Sequence, residues 1–353
     1  AIVALALARC LASDFEVAIV APAAQPLPSV GPGGIRFLPV AVPDARKEEW
    51  QQLLDILRPR QLPPFARADF YRRYWQRVAT VLADYAPDLV HVHAFAQGLC
   101  VLREKLRAAR LLLHLHDPHP ALLPPACLGP ALALADRILT VSDFVRNQLR
   151  LAFPELATRI CTVPNGVEVS RFAHISEPAP KNAWVILQVG RVSPEKGHHV
   201  LVRAFARIFH RLRHAKLLIV GRAGFFPWGY ARLLAHDPPM RAALTFWGEG
   251  LWDRLWRQLL RPKQAYVRDL YRLLPRAAQL RMEIRPPLPH DQLATLYEQA
   301  DVVAVPSVIE EPFGLPAVEA MAAGRAVVAS RRGGIPECIE DRISGLLVPA
   351  GDD

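Results

Sequence analysis

Cysteine is scarce in this chain and shows no pairing pattern: Cys10, Cys100, Cys127, Cys161 and Cys338 are scattered among 353 residues, odd in number, without a C-x-x-C. That spacing argues against a disulfide framework and against a thiolate zinc site, and fits reduced thiols in a cytoplasmic protein. Long apolar runs are missing too, so no stretch suffices to cross a bilayer as a helix, although 52% of the residues are hydrophobic. An initiator Met is absent. The opening "AIVALALARCLASDFEVAIVAP" reads as a helix followed by a strand, and the far end stops just after the strand "SGLLVP". A fragment is expected, lacking its first strand and its terminal helices, and no signal peptide can be read.

What is present begins with charge. A formal +10 fits an anionic partner such as a nucleotide, a phosphate, a nucleic acid or an acidic membrane surface, or simply an Arg-rich composition. Short apolar runs alternate with helical patterns, which predicts parallel sheets covered by helices on both faces. One series comprises "FEVAIVAP", "IRFLPV", "LVHVHA", "RLLLHLHD" and "RILTVS". A stretch with the composition of a linker, "VPNGVEVSRFAHISEPAPKNA", follows. A second series then comprises "WVILQVG", "AKLLIVG", "DVVAVPS", "RAVVAS" and "SGLLVP". The expected architecture is α/β: two doubly wound Rossmann-like domains, residues 1–178 and 179–353, facing across a cleft at their strand ends. An insertion at about 222–280, rich in Trp, Phe, Tyr and Arg, reads as mostly helical. Its aromatics are expected in a core, with an amphipathic surface for membrane or acceptor contact as the other reading.

The second series opens with a strand, a basic turn and a helix start, "VILQVGRVSPEKGHHVLVRAFARI". Gly190 ends the strand, Gly197 allows a close backbone approach, and Arg191 and Lys196 flank the turn, a combination that reads as a phosphate site. A dinucleotide fits poorly. The turn has no G-x-G-x-x-G, and the next strand ends "IVGRAG" without the acid that NAD requires.

Further along, "EEPFGLPAVEAMAAGRAVVAS" places two acids before an Ala-rich helix. Buried carboxylates are rare unless paired or bound to something. Pro316 suits the first helical turn, leaving the amides of Gly314 and Leu315 to face a ligand, with Glu319 on the same helix face as Leu315. Carboxylates bind hydroxyls and amides bind phosphate oxygens, so a sugar attached to a diphosphate would satisfy both. A glycosidase pair is the rival. Hydrolases hold their carboxyls about 5 Å or roughly 6.5–9.5 Å apart, whereas eight helical residues span about 12 Å; a basic phosphate turn has no use in hydrolysis.

Taken together, "VGRVSPEKG", "EPFGLPAVEAMAAG", "VPNGVE" and "GGIPECIEDRISGLLVPAGD", with "DLVHVHAF" and "ADRILTVSDFVRNQL", resemble the retaining family-4 glycosyltransferases of GT-B fold. The resemblance covers the chain outside the aromatic insertion. It implies that Glu311 contacts donor-sugar hydroxyls and Glu319 the ribose, and that Arg191 and Lys196 neutralise the leaving diphosphate. It also implies that the amides of Phe313, Gly314 and Leu315 hold sugar and phosphate oxygens. The family's strand-end histidine falls best on His116, with His114 and His119 nearby, and Asn165 in "VPNG" shapes a turn or touches ligand. The family's Gly-rich loop would lie before Ala1. Pro286 stands where the family often has glycine, which leaves nucleobase contacts near Ile284 and Arg285 open.

The expected protein is a metal-independent glycosyltransferase, with no cofactor beyond its nucleotide-sugar substrate. The acceptor is a saccharide, a lipid-linked compound or a small molecule; no nucleic-acid partner is expected, and peripheral membrane contact stays open. The alternatives are a non-catalytic nucleotide-sugar-binding protein, or an epimerase or phosphorylase on the same fold.

Overall fold

The computed structural model describes residues 2–22, 30–41, 71–172, 183–225, 228–257 and 265–353. They form two compact α/β units, the described residues through Asn165 in the first and those from Gly166 in the second. The boundary expected at 178 falls within 173–182, outside the described residues. Residues 166–172, left with the first domain by composition, belong to the second unit. The reason is Phe172, which is buried edge-on against Tyr297 at a ring separation of 5.9 Å.

In the first unit, β1 (Ala18–Pro22) and β2 (Arg36–Val40) pair in parallel. A four-stranded parallel sheet runs in the order β3 (Leu89–His93), β4 (Arg110–Leu115), β5 (Arg137–Thr140) and β6 (Ile160–Thr162). Strand β4 is an almost unbroken apolar run because it lies between β3 and β5, with Leu111, Leu113 and Leu115 fully buried. The segment "RILTVSDFVRNQL" resolves into β5, a turn and the helix Asp143–Ala152. Ser142 caps that helix, its hydroxyl accepting from the Val145 amide at 3.2 Å.

The second unit holds six parallel strands: β7 (Val185–Val189), β8 (Lys216–Val220), β9 (Met282–Arg285), β10 (Val302–Val305), β11 (Ala326–Ser330) and β12 (Leu346–Val348). Their spatial order is β12-β11-β10-β7-β8-β9. Alternation along β8 sends Leu218 and Val220 into one core and Leu217 and Ile219 into another, as expected of a sheet covered on both faces. From β7 the chain builds outward through β8 and β9, then returns to lay β10 on the other side of β7. The reversal makes the carboxyl ends of β7 and β10 the switch point where such sheets bind ligands.

Between β8 and β9 the aromatic insertion forms short helices, including Trp228–Leu233, Pro238–Ala243 and Ala265–Arg272. The core reading holds for Trp247, Tyr266 and Tyr230, which are buried, whereas Trp252 is 82% exposed. Among the described residues, no helix is long and apolar enough to cross a membrane.

Candidate active site

Two loops meet at the switch point of the second sheet. After β7, Gly190 takes φ +146, and among the described residues no atom lies within 4 Å of where a Cβ would stand. A short 3-10 turn, Pro194–Lys196, leads into Gly197 at φ +71 and the helix His198–Ile208. After β10, the chain runs through Glu310 and Glu311 to Gly314, at φ +92, and the helix Leu315–Ala322. The loops are tied by backbone bonds from the amides of Val308 (3.1 Å) and Ile309 (3.3 Å) to the Glu195 carbonyl.

Gly197 serves this junction rather than a ligand. A Cβ there would lie 1.8 Å from the carbonyl oxygen of Pro306. Substitution Gly197→Ala is therefore expected to cost at least about 2 kcal/mol, from left-handed strain and the clash together. A urea melt checks this; an unchanged midpoint would refute the role.

The junction brings Lys196 and Glu311 into contact. The Lys196 Nζ lies 2.8 Å from both carboxylate oxygens, and Ser307 Oγ donates to Oε2 at 2.8 Å. Burial alone would raise the Glu311 pKa. The Lys196 charge and hydrogen bonds, the Ser307 hydroxyl and the nearby Arg191 outweigh it and hold the carboxyl below its ordinary value. Arg191 is aimed by a carboxylate the sequence did not advertise. Glu195, wholly buried, accepts from Arg191 Nη2 at 2.7 Å and from Ser193 Oγ at 2.6 Å. Arg191, Lys196 and Glu311 thus share one charged cluster.

Glu319 lies in a separate network. Only 3% exposed, it accepts from Tyr297 Oη at 2.8 Å and from His290 Nε2 at 2.9 Å. Arg171 donates to His290 Nδ1 at 3.0 Å, so the proton of that ring sits on Nε2. Burial and the Glu319 charge push the Tyr297 hydroxyl well above 10, keeping it a donor. Glu310, the other acid of the opening pair, is structural. It pairs with Arg332 at 3.0 Å and accepts from the Gly333 amide. Phe313 is buried, and among the described residues no backbone carbonyl accepts from the amides of Gly314 or Leu315. Those two amides stand at the start of a helix, where backbone N–H groups have no intrahelical partner.

His116 and Asn165 belong to the first unit. His116 follows β4 directly and shares a 2.8 Å hydrogen bond between its Nε2 and His93 Nδ1. Burial lowers its pKa despite the opposing pull of Asp117. His119 instead pairs with the Asp117 carboxylate. Asn165 sits in the irregular segment after β6, its Oδ1 buried without a hydrogen-bond partner among the described residues. Sequence reasoning missed Ser307, His290 and Glu195, because an ordinary loop serine, histidine or glutamate announces nothing until its partners are known. His91 and His93 did carry a signal: their i, i+2 spacing on a strand puts both on one face.

Two Rossmann-like units, the second with a cation–carboxylate cluster at its switch point, place the protein in the GT-B-like α/β class. Residues 1–171 match the family model described as glycosyltransferase family 4, and residues 170–245 and 232–353 match models described as glycosyl transferases group 1. The chain belongs to the family-4, group-1 glycosyltransferases. It is 32% identical to a D-inositol 3-phosphate glycosyltransferase of Saccharomonospora viridis over 231 residues, 62% of this chain and 45% of that protein. It is 28% identical to the lipopolysaccharide 1,2-N-acetylglucosaminetransferase of Salmonella typhimurium over 294 residues, 79% of this chain and 65% of that protein. The chain thus spans less than two thirds of the length of either curated relative. The crystal structure of Anabaena HepE in complex with UDP and glucose superimposes with a TM-score of 0.62. That match covers 99% of this chain and 83% of HepE at 19% identity.

Proposed function

We propose that the protein is a retaining glycosyltransferase that moves a sugar from a nucleoside-diphosphate donor to a hydroxyl acceptor. The observation carrying this reading is the contact of Lys196 with Glu311 at the switch point of the second sheet. An ammonium suited to a diphosphate and an ionised carboxylate suited to sugar hydroxyls sit side by side there, which is what an activated sugar presents. Arg191, held in place by Glu195, adds a second cation, and the amides of Gly314 and Leu315 add neutral donors. Charge on the departing diphosphate is met by these groups, so this step calls for no metal. Glu319, with lone pairs left beyond those used by Tyr297 and His290, is the residue for the ribose hydroxyls.

In the transfer itself, the acceptor oxygen bonds to the anomeric carbon on the face from which the diphosphate leaves. The diphosphate keeps the electron pair of the broken C–O bond and takes up the acceptor's proton. His116 is assigned to the sugar side of the reaction in the first unit.

Thermal-shift screening of nucleoside diphosphates and nucleotide sugars tests donor binding, since a ligand that binds only the folded chain raises the melting temperature. UDP and UDP-glucose come first, given the ligands of HepE. Substitution Glu311→Gln, close in shape but uncharged, is expected to lower turnover by roughly 10²–10³-fold in transfer-competent protein while leaving the fold intact. Wild-type turnover in that variant would refute the role of Glu311. Selective nucleotide binding without any transfer would instead identify a binding protein.

A further inference from the structure

Four imidazoles stack at the carboxyl ends of β3 and β4, and the donor chemistry above uses at most one of them. His91 and His93 share a face of β3, and His114 is the register partner of His93 on β4. Ring centroids lie 4.4 Å apart for His91 and His93, 5.3 Å for His93 and His114, and 5.4 Å for His91 and His114. His114 is only 3% exposed. Neither of its ring nitrogens has a hydrogen-bond partner among the described residues, and His91 Nε2 is likewise buried without one.

A stack chosen for packing alone would be filled at lower cost by leucine or phenylalanine, which bring no polar atoms to desolvate. Buried ring nitrogens without partners instead ask for something that accepts their lone pairs. One ligand nitrogen from each of His91, His93 and His114 lies within 4.8 Å of the other two. Nitrogens bound to a tetrahedral zinc about 2.0–2.1 Å away lie roughly 3.3–3.4 Å from one another. Binding requires the three rings to turn about their side-chain bonds to close that difference. His93 spends Nδ1 on His116, leaving Nε2 for an ion, and such an outer hydrogen bond is how ligating histidines are held in one tautomer.

We propose that His91, His93 and His114 form a binding site for a divalent transition-metal ion of the zinc type, with the fourth position open to water. An all-imidazole donor set excludes calcium and magnesium, which take oxygen ligands. The scattered cysteines argued only against a thiolate site, and this one contains none. It does not rest on the donor-binding reading, because its residues all belong to the first unit.

The test is titration of the full chain, stripped with chelator, with Co²⁺ followed by its ligand-field absorption, then displacement by Zn²⁺. Saturable binding of one ion without a thiolate charge-transfer band is expected. His91→Leu and His114→Leu should each weaken binding at least about tenfold, the scale lost when a ligand's support is removed. Replacing the exposed pair His210 and His214 by glutamine should leave it unchanged. Absence of saturable binding overturns the proposal, as does binding that survives both leucine variants or vanishes with His210 and His214. Should the leucine variants fail to fold, X-ray absorption on the zinc-loaded wild type decides. Three imidazoles around the ion support the site, and sulfur ligation or fewer than two imidazoles refutes it.

Discussion

Substitution Lys196→Ala is expected to lower both the stability of the second unit and its affinity for nucleoside diphosphates. The lysine and Glu311 side chains are 25% and 12% exposed, so the carboxylate left behind is mostly buried and, among the described residues, keeps the Ser307 hydroxyl as its direct hydrogen-bond partner. Breaking a buried pair from one side costs roughly 3–5 kcal/mol, and partial solvent access puts this case toward the lower end. Loss of binding follows separately, because the cation nearest the proposed diphosphate is gone. The double variant Lys196→Met with Glu311→Gln separates the two effects. Removing both charges takes away the uncompensated carboxylate, so most of the stability should return, while nucleotide binding should not. Chemical denaturation and calorimetric titration of both variants provide the readout. If Lys196→Ala binds nucleoside diphosphates as the wild type does, the lysine has no part in the site.

The second large effect is expected from acid. His93 and His114 in the first unit, and His198 and His199 in the second, have pKa values lowered from 6.5 to about 3, chiefly by burial. His91 and His116 are shifted in the same direction. Such a histidine takes up its proton more readily in the unfolded chain than in the folded one. Its neutral form therefore stabilises the fold fully above the unfolded value of 6.5, and that contribution drains away as the pH falls toward 3. The least exposed of them, His114, His198 and His199, contribute the most to that loss. Glu311 acts in the same sense at the acid end. With its folded pKa held below the ordinary value, its contribution is lost as the pH drops through that lowered value. Urea melts between about pH 7 and pH 4 should show a steep loss of stability, less steep in His114→Leu. A flat profile over that range would contradict the buried neutral state of these rings.

How much of this was legible beforehand depended on whether a feature was local. Strands β7, β8 and β10 announced themselves as short apolar runs bounded by turn residues, and the helix Leu315–Ala322 by Gly314 and Pro316 at its start. Strands β6 and β9 did not. Ile160–Thr162 has three residues, and Met282–Arg285 alternates charge with apolar groups at the sheet edge, so neither carries a run long enough to read. The aromatic insertion was visible as composition, but which of its rings are buried was not. Trp247 and Trp252 look alike in sequence, and one is wholly covered while the other is 82% exposed.

The site divides the same way. The order of residues along the chain determined the basic turn, the paired acids, the proline-started helix and the family to which they belong, because each is a spacing of a few positions governed by backbone geometry. Tertiary structure alone decided which acid serves which partner: Glu311 meets Lys196, Glu310 holds Arg332 and Glu319 joins His290 and Tyr297. It also decided that four histidines, three on β3 and β4 and one just after β4, form one stack. Contacts between residues distant along the chain are set by strand order and register, and a switch point exists only once β10 has been laid beside β7.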